Sequence, residues 1–192
     1  MLPIRARAGY IHTMPDTPPD ADLLPILIAP HRSLKTKARR VLPADMDQVR
    51  ALVPRMFATM YHAPGIGLAA PQVDVGLRLV VVDLAPKDQN QPMVLVNPDI
   101  VTVSEEWATR EEGCLSLPNQ YADVSRPARV VVAYTDLEGA PHRIEADGLM
   151  AACLQHEIDH LDGVLFVDHL STLKRNMILR RLAKEQKQKA LA

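Results

Sequence analysis

The stretch LQHEIDHLDG, residues 154–163, constrains this chain more than any other, because it asks one helix to be both buried and polar. The body leading into it, GLMAACLQHEIDHL, is apolar almost all round, so a helix here belongs inside the molecule. Asp147 is a good N-cap and Gly163 a good C′ residue, so the helix is bounded at both ends. Imidazoles and a carboxylate carried into an interior need partners, since an unpaired buried polar group costs about 1–3 kcal/mol. On a helix His156 and His160 lie about 40° apart around the axis and roughly 6 Å apart along it, so both rings can reach one ion. Glu157, about 60° from His160, flanks that point and can reach a water beside it. H-E-x-x-H on a helix is a metal-hydrolase signature. The plain alternative is a chance match on an amphipathic helix.

Two histidines need a third protein ligand. The spacing H-E-x-x-H-x-x-G-x-x-H would put a histidine at position 166, which is Phe166. A glutamate from a following helix could only be Glu185, deep in a lysine-rich tail and a poor candidate. Cys153 shares the helix but lies about 10 Å of rise from His160, too far for comfortable convergence, and reads as a small packing residue. His169 would require the chain to fold back at once. Cys114 remains, in EEGCLSLP, where Gly113 precedes it in a non-helical segment. Its alternative is a buried, inert thiol. Cys/His/His leaves a coordination position open, as hydrolytic sites require. A thiolate with two imidazoles accepts Fe(II), Zn(II), Ni(II) or Co(II).

A chain of 192 residues suits one domain, and 47% hydrophobic with 23% charged residues is ordinary for a globular protein. Net charge is −1, but residues 171–192 carry seven Lys/Arg against one Glu. That basic tail on an acidic body points to an anionic partner. Two cysteines make no disulfide framework, and no apolar run approaches membrane-spanning length. Residues 1–22 read as a flexible polar leader, without the apolar segment of a signal peptide; Met14 offers an alternative start. A helix is expected from about Asp45 to His62, kinked or interrupted at Pro54. PGIGLAAPQ reads as a loop. Strands are expected at 78–84, 93–97 and 128–135, the last forming a hairpin with HRIEA, and a final helix from about Ser171. The fold class is therefore α+β, mixed or antiparallel strands around a central metal-binding helix with a C-terminal helix. The parts are a leader (1–22), a catalytic domain (23–170) and a basic C-terminal helix (171–192).

Three motifs stand in order: GIGLAAPQ at 65–72, EGCLS at 112–116 and QHEIDH at 155–160. Together they closely resemble the peptide deformylases, from about Leu24 to the C-terminus. The resemblance implies a metallohydrolase that removes formyl from N-formylmethionyl nascent chains in the cytoplasm, with Fe(II) as the cellular metal. It assigns Cys114, His156 and His160 to the metal and Glu157 to general acid/base work. Gln72, through its amide, and Leu115, through its backbone N–H, would hold the formyl oxygen. Gly65, Ile66 and Gly67 would let substrate add to the loop like a strand, and Leu149, Ala152 and Cys153 would line a methionine slot. Glu112 reads as a structural partner of the cysteine motif, with Arg126 as its ion pair. The family's Gram-negative type implies a C-terminal helix docked on the ribosome near the peptide exit. A metallopeptidase cutting internal bonds and an inactive ribosome-binding module are the rivals. Tyr121 is expected to alter the pocket rim and thereby peptide preference.

Overall fold

The computed structural model describes residues 23–84 and 91–191, so the expected leader (1–22) lies outside the described residues. In chain order the elements are α1 (Met46–His62), β1 (Gly67–Ala69), β2 (Leu79–Val82), β3 (Met93–Val103), β4 (Trp107–Cys114), β5 (Leu117–Pro127), β6 (Arg129–Thr135), β7 (Pro141–Asp147), α2 (Gly148–Leu161) and α3 (Thr172–Lys189). Five strands form one sheet in the order β1-β2-β3-β6-β7, and β4 pairs with β5 in a separate ribbon. Every pairing between these strands is antiparallel.

The unbroken apolar run in β2 follows from burial on both faces. Leu79 and Val81, with Val94 and Val96 of β3, meet the stripe Val49, Val53, Met56, Phe57 and Met60 of α1. Val80 and Val82, with Met93 and Leu95, meet Ala151, Leu154, Ile158 and Leu161 of α2. The sheet is thus sandwiched between the helices, which accounts for the apolarity of α2. A third cluster lies under the ribbon, where Leu117 and Val124 of β5 meet Leu34, Phe166, Val167 and Leu182 of α3.

Helix α1 is not interrupted at Pro54. A missing N–H forfeits one intrahelical bond, and the buried stripe on either side of it outweighs that loss. Asp147 stands at the N-cap of α2, but its side chain makes no capping bond. The other end matches expectation. Gly163 has φ +73°, its N–H donates to the His160 carbonyl and that of Val164 to the Asp159 carbonyl, the paired bonds of a Schellman stop. The hairpin β6–β7 forms as the sequence suggests. Two departures matter for the site. The loop 65–72 contains β1 and a 3-10 turn, Ala70–Val73, and the segment 107–127 is a ribbon the sequence does not announce. No described helix is long and apolar enough to cross a membrane.

Candidate metal centre and active site

Two elements, β4 and α2, bring three donor side chains to one point. Cys114 ends β4, where the pairing register shifts after Gly113 and the chain turns through Leu115 and Ser116 into β5. Gly113 sits against Tyr121: a Cβ there would lie 2.6 Å from its exposed ring, which would have to move aside. Helix α2 delivers His156 and His160, whose ring centroids are 5.0 Å apart. The donor atoms of Cys114, His156 and His160 all lie within 4.8 Å of one another, and Cys114 Sγ is 3.2 Å from His160 Nε2. Bonds of about 2.0–2.3 Å to a tetrahedral ion set its ligands about 3.5 Å apart, so this donor set fits one divalent metal. Burial pushes His160 well below the ordinary imidazole range, keeping it neutral as a ligand must be. Burial alone would lower His156 too, but hydrogen bonds to Cys114 and Glu112 hold it well above that range, so an ion binding there would have to displace its proton.

Beside these atoms, Glu157 is 5% exposed and its Oε2 has no hydrogen-bond partner. Burial, reinforced by the Glu112 charge against the opposing charge of His156, raises its carboxyl to about 7. A carboxylate poised near neutrality can both take and give a proton. The backbone of β1 passes directly over it; a Cβ on Gly67 would lie 2.5 Å from Glu157 Oε1. Gln72, 2% exposed, sits at the third position of the 3-10 turn and accepts from the Ala69 N–H through Oε1 at 2.9 Å. That bond turns its Nε2 toward Cys114 Sγ (3.6 Å) and Ser116 Oγ (3.2 Å), a donor aimed into the site.

A cleft of about 870 Å³ opens over this centre. Gly65, Ile66 and Gly67 form one wall, and Leu149, Ala152 and Cys153 of α2 lie along another. Cys114, Leu115, Gln72, His156 and Glu157 also reach it, whereas His160 is buried behind. Leu149 and Ile66 are exposed at the rim, and Tyr121 is 63% exposed there. Cys153 is absent from the ligand cluster; its sulfur lies 3.9 Å from the Ile66 carbonyl and burial pushes its thiol up.

Outside the donor set, His156 Nδ1 is 2.9 Å from Glu112 Oε2, and Arg126 grips both oxygens of Glu112 at 2.6 and 3.0 Å. Burial would raise the Glu112 carboxyl, but His156 and Arg126 prevail and hold it at about 2. Phe166, at the position where a third histidine would fall, instead stacks on His156 at a centroid distance of 6.3 Å. Glu185 is engaged with Gln120 on β5, and His169 with Asp159, so neither joins the donor set. Sequence reasoning missed Ser116, 0% exposed against Gln72, and the β5 wall at Pro118 and Asn119. Both follow from the ribbon, which no apolar periodicity announces.

Residues 23–176 match the family model described as polypeptide deformylase. A peptide deformylase of Brucella suis is 52% identical over 167 residues, covering 86% of this chain and 95% of that protein. A crystal structure of a peptide deformylase from Legionella pneumophila superposes with a TM-score of 0.81 at 45% identity, covering 88% of this chain and 98% of that one. A Met-Ala-Ser-bound deformylase from Acinetobacter baumannii superposes with a TM-score of 0.75 at 34% identity, covering 78% and 99%. With this fold, this cluster of donors and relatives matched along nearly their whole length, the chain belongs to the peptide deformylase family.

Proposed function

We propose that Cys114, His156 and His160 hold one divalent ion, with Glu157 moving the proton, as this deformylase removes the formyl group from N-terminal formylmethionine. The observation that carries the assignment is the convergence of three donor atoms within 4.8 Å beside a buried, unpartnered Glu157 oxygen. When bound, the ion supplies a Lewis acid that makes water nucleophilic near neutral pH. Glu157 takes the proton of the attacking water at its carboxylate and returns it to the departing amine. Gln72 Nε2 and the Leu115 N–H donate to the formyl oxygen as negative charge develops there. Formate and a free N-terminal methionine are the products.

The backbone at Gly65, Ile66 and Gly67 pairs with the substrate as an added strand, and Leu149, Ala152 and Cys153 take its methionine side chain. The Met-Ala-Ser complex of the Acinetobacter relative supports a peptide in this cleft. A thiolate with two imidazoles accepts Fe(II), Zn(II), Ni(II) or Co(II), and the likeness to the deformylases points to Fe(II) in the cell. Residues 23–170 form the catalytic domain of this cytoplasmic enzyme. The exposed Lys174, Arg180, Arg181, Lys184 and Lys187 of α3 contact ribosomal RNA near the exit tunnel.

Formate release from N-formyl-Met-Ala-Ser, measured on anaerobically purified protein of known metal content, tests the reading. The parent turns over, and Glu157→Ala retains metal but loses about 10²–10⁴-fold in rate. A fully metallated parent that releases no formate overturns it.

A further inference from the structure

We infer that Asp159 and His169 are positioning residues for His156, acting through Arg126 and Glu112 from outside the ligand set; this rests on the metal-ligand reading above. The polar run is continuous. Glu112 Oε2 meets His156 Nδ1 at 2.9 Å and accepts from Arg126 Nη2 at 3.0 Å, while Oε1 accepts from Arg126 Nε at 2.6 Å. At its other end Arg126 donates from Nη1 to Asp159 Oδ2 at 2.7 Å. The same oxygen accepts from His169 Nε2 at 2.7 Å, and that nitrogen lies 3.4 Å from Arg126 Nη1.

A guanidinium is planar and rigid, so a carboxylate at each end holds its plane against rotation. Glu112 is bound two-fold to that plane, and the plane therefore sets where Glu112 Oε2 stands. Its place in turn sets the tilt and tautomer of the His156 ring, the usual work of an outer partner at a metal site. Asp159 is the only carboxylate that the hydrogen bonds show at Nη1 among the described residues, and His169 is its second donor. His169 closes the 3-10 turn Phe166–His169, whose first residue stacks on the same His156 ring at 6.3 Å and 20°. One short turn thus grips His156 twice, by a ring face and by a polar run. A histidine that fails as a ligand has work to do four contacts away.

The test uses the full chain loaded with Co(II), following metal transfer to excess EDTA together with the visible absorption of the bound cobalt. Asp159→Asn should release cobalt about tenfold faster with a shifted absorption envelope, the scale expected of outer-shell changes. His169→Leu should release it about threefold faster, and His169→Gln, whose amide still donates, should stay within about twofold of the parent. Parent-like release and spectra in Asp159→Asn and His169→Leu would overturn the inference. So would equal loosening by His169→Gln and His169→Leu, which marks general destabilisation. Cobalt held by Cys114→Ala as firmly as by the parent would instead overturn the ligand reading underneath.

Discussion

Gly67 has to lack a side chain for Glu157 to stand where it does. A Cβ would come within 2.5 Å of Oε1 and 2.8 Å of the carboxyl carbon, so the Glu157 carboxylate would have to swing away from its place. If Glu157 is the base proposed above, Gly67→Ala should keep its metal but lose at least about tenfold in kcat, because the misplaced carboxylate loses alignment with the proton it takes. Metal content measured beside formate release checks this, and parent-like kcat would refute it. Glu112 makes a different prediction. Its carboxyl is held at about 2 in the folded chain, against about 4.3 when unfolded. The folded value is the lower one, so its contribution to stability is complete above about pH 4.5 and fades as pH falls toward 2. Glu112→Gln should be less stable at pH 7 and show a shallower acid limb in urea unfolding; a limb as steep as the parent's would count against it. The Glu112–Arg126 pair could be anticipated from a carboxylate beside the cysteine motif and an arginine before Pro127. Asp159 and His169 could not, because a residue that acts through another carries no spacing signal of its own.

Among the elements, the helices were legible and the ribbon was not. Helices α1 and α2 announce themselves by apolar stripes, and α2 also by Gly163. Strands β4 and β5 are polar along much of their length, since most of their side chains are not deeply buried and pairing with each other holds them. The sequence therefore reads EEGCLSLP as a loop, although the ribbon is what places Cys114. Gly163 makes the end of α2 testable. Its φ is +73° and a Cβ would lie 2.8 Å from the Lys35 carbonyl carbon. Gly163→Ala should cost about 1–3 kcal/mol or more. Gly139→Ala, at φ +84° with nothing within 4 Å, should cost clearly less. Denaturant unfolding of the pair separates backbone strain from collision, and equal losses would show that collision contributes nothing.

Across the whole molecule, α3 is both a basic surface and part of the third core. Leu182 is 1% exposed against Leu117, Val124 and Phe166, so Leu182→Ala should destabilise the fold by about 2–5 kcal/mol. Thermal or urea unfolding reads this directly. Deleting α3 would consequently mix two effects, exposing that core while removing the charges. Replacing Lys174, Arg180 and Lys184 by Gln leaves the core intact. It should weaken ribosome binding and reduce its salt dependence, each lost phosphate contact lowering the log–log slope by about one. Unchanged binding would remove the ribosome from the proposal. The three candidate donors, the buried character of the helix that carries two of them and the α+β class were all present in the chain's order of residues. Local periodicity and short motifs carry that information, because a helix sets the spacing of its own side chains. The three-layer burial of β2, the pairing of β4 with β5 and the run from His156 to His169 are contacts between distant segments. No local pattern encodes which segments those are; they arise when the apolar faces of sheet and helices close on one another and carry the polar groups into reach.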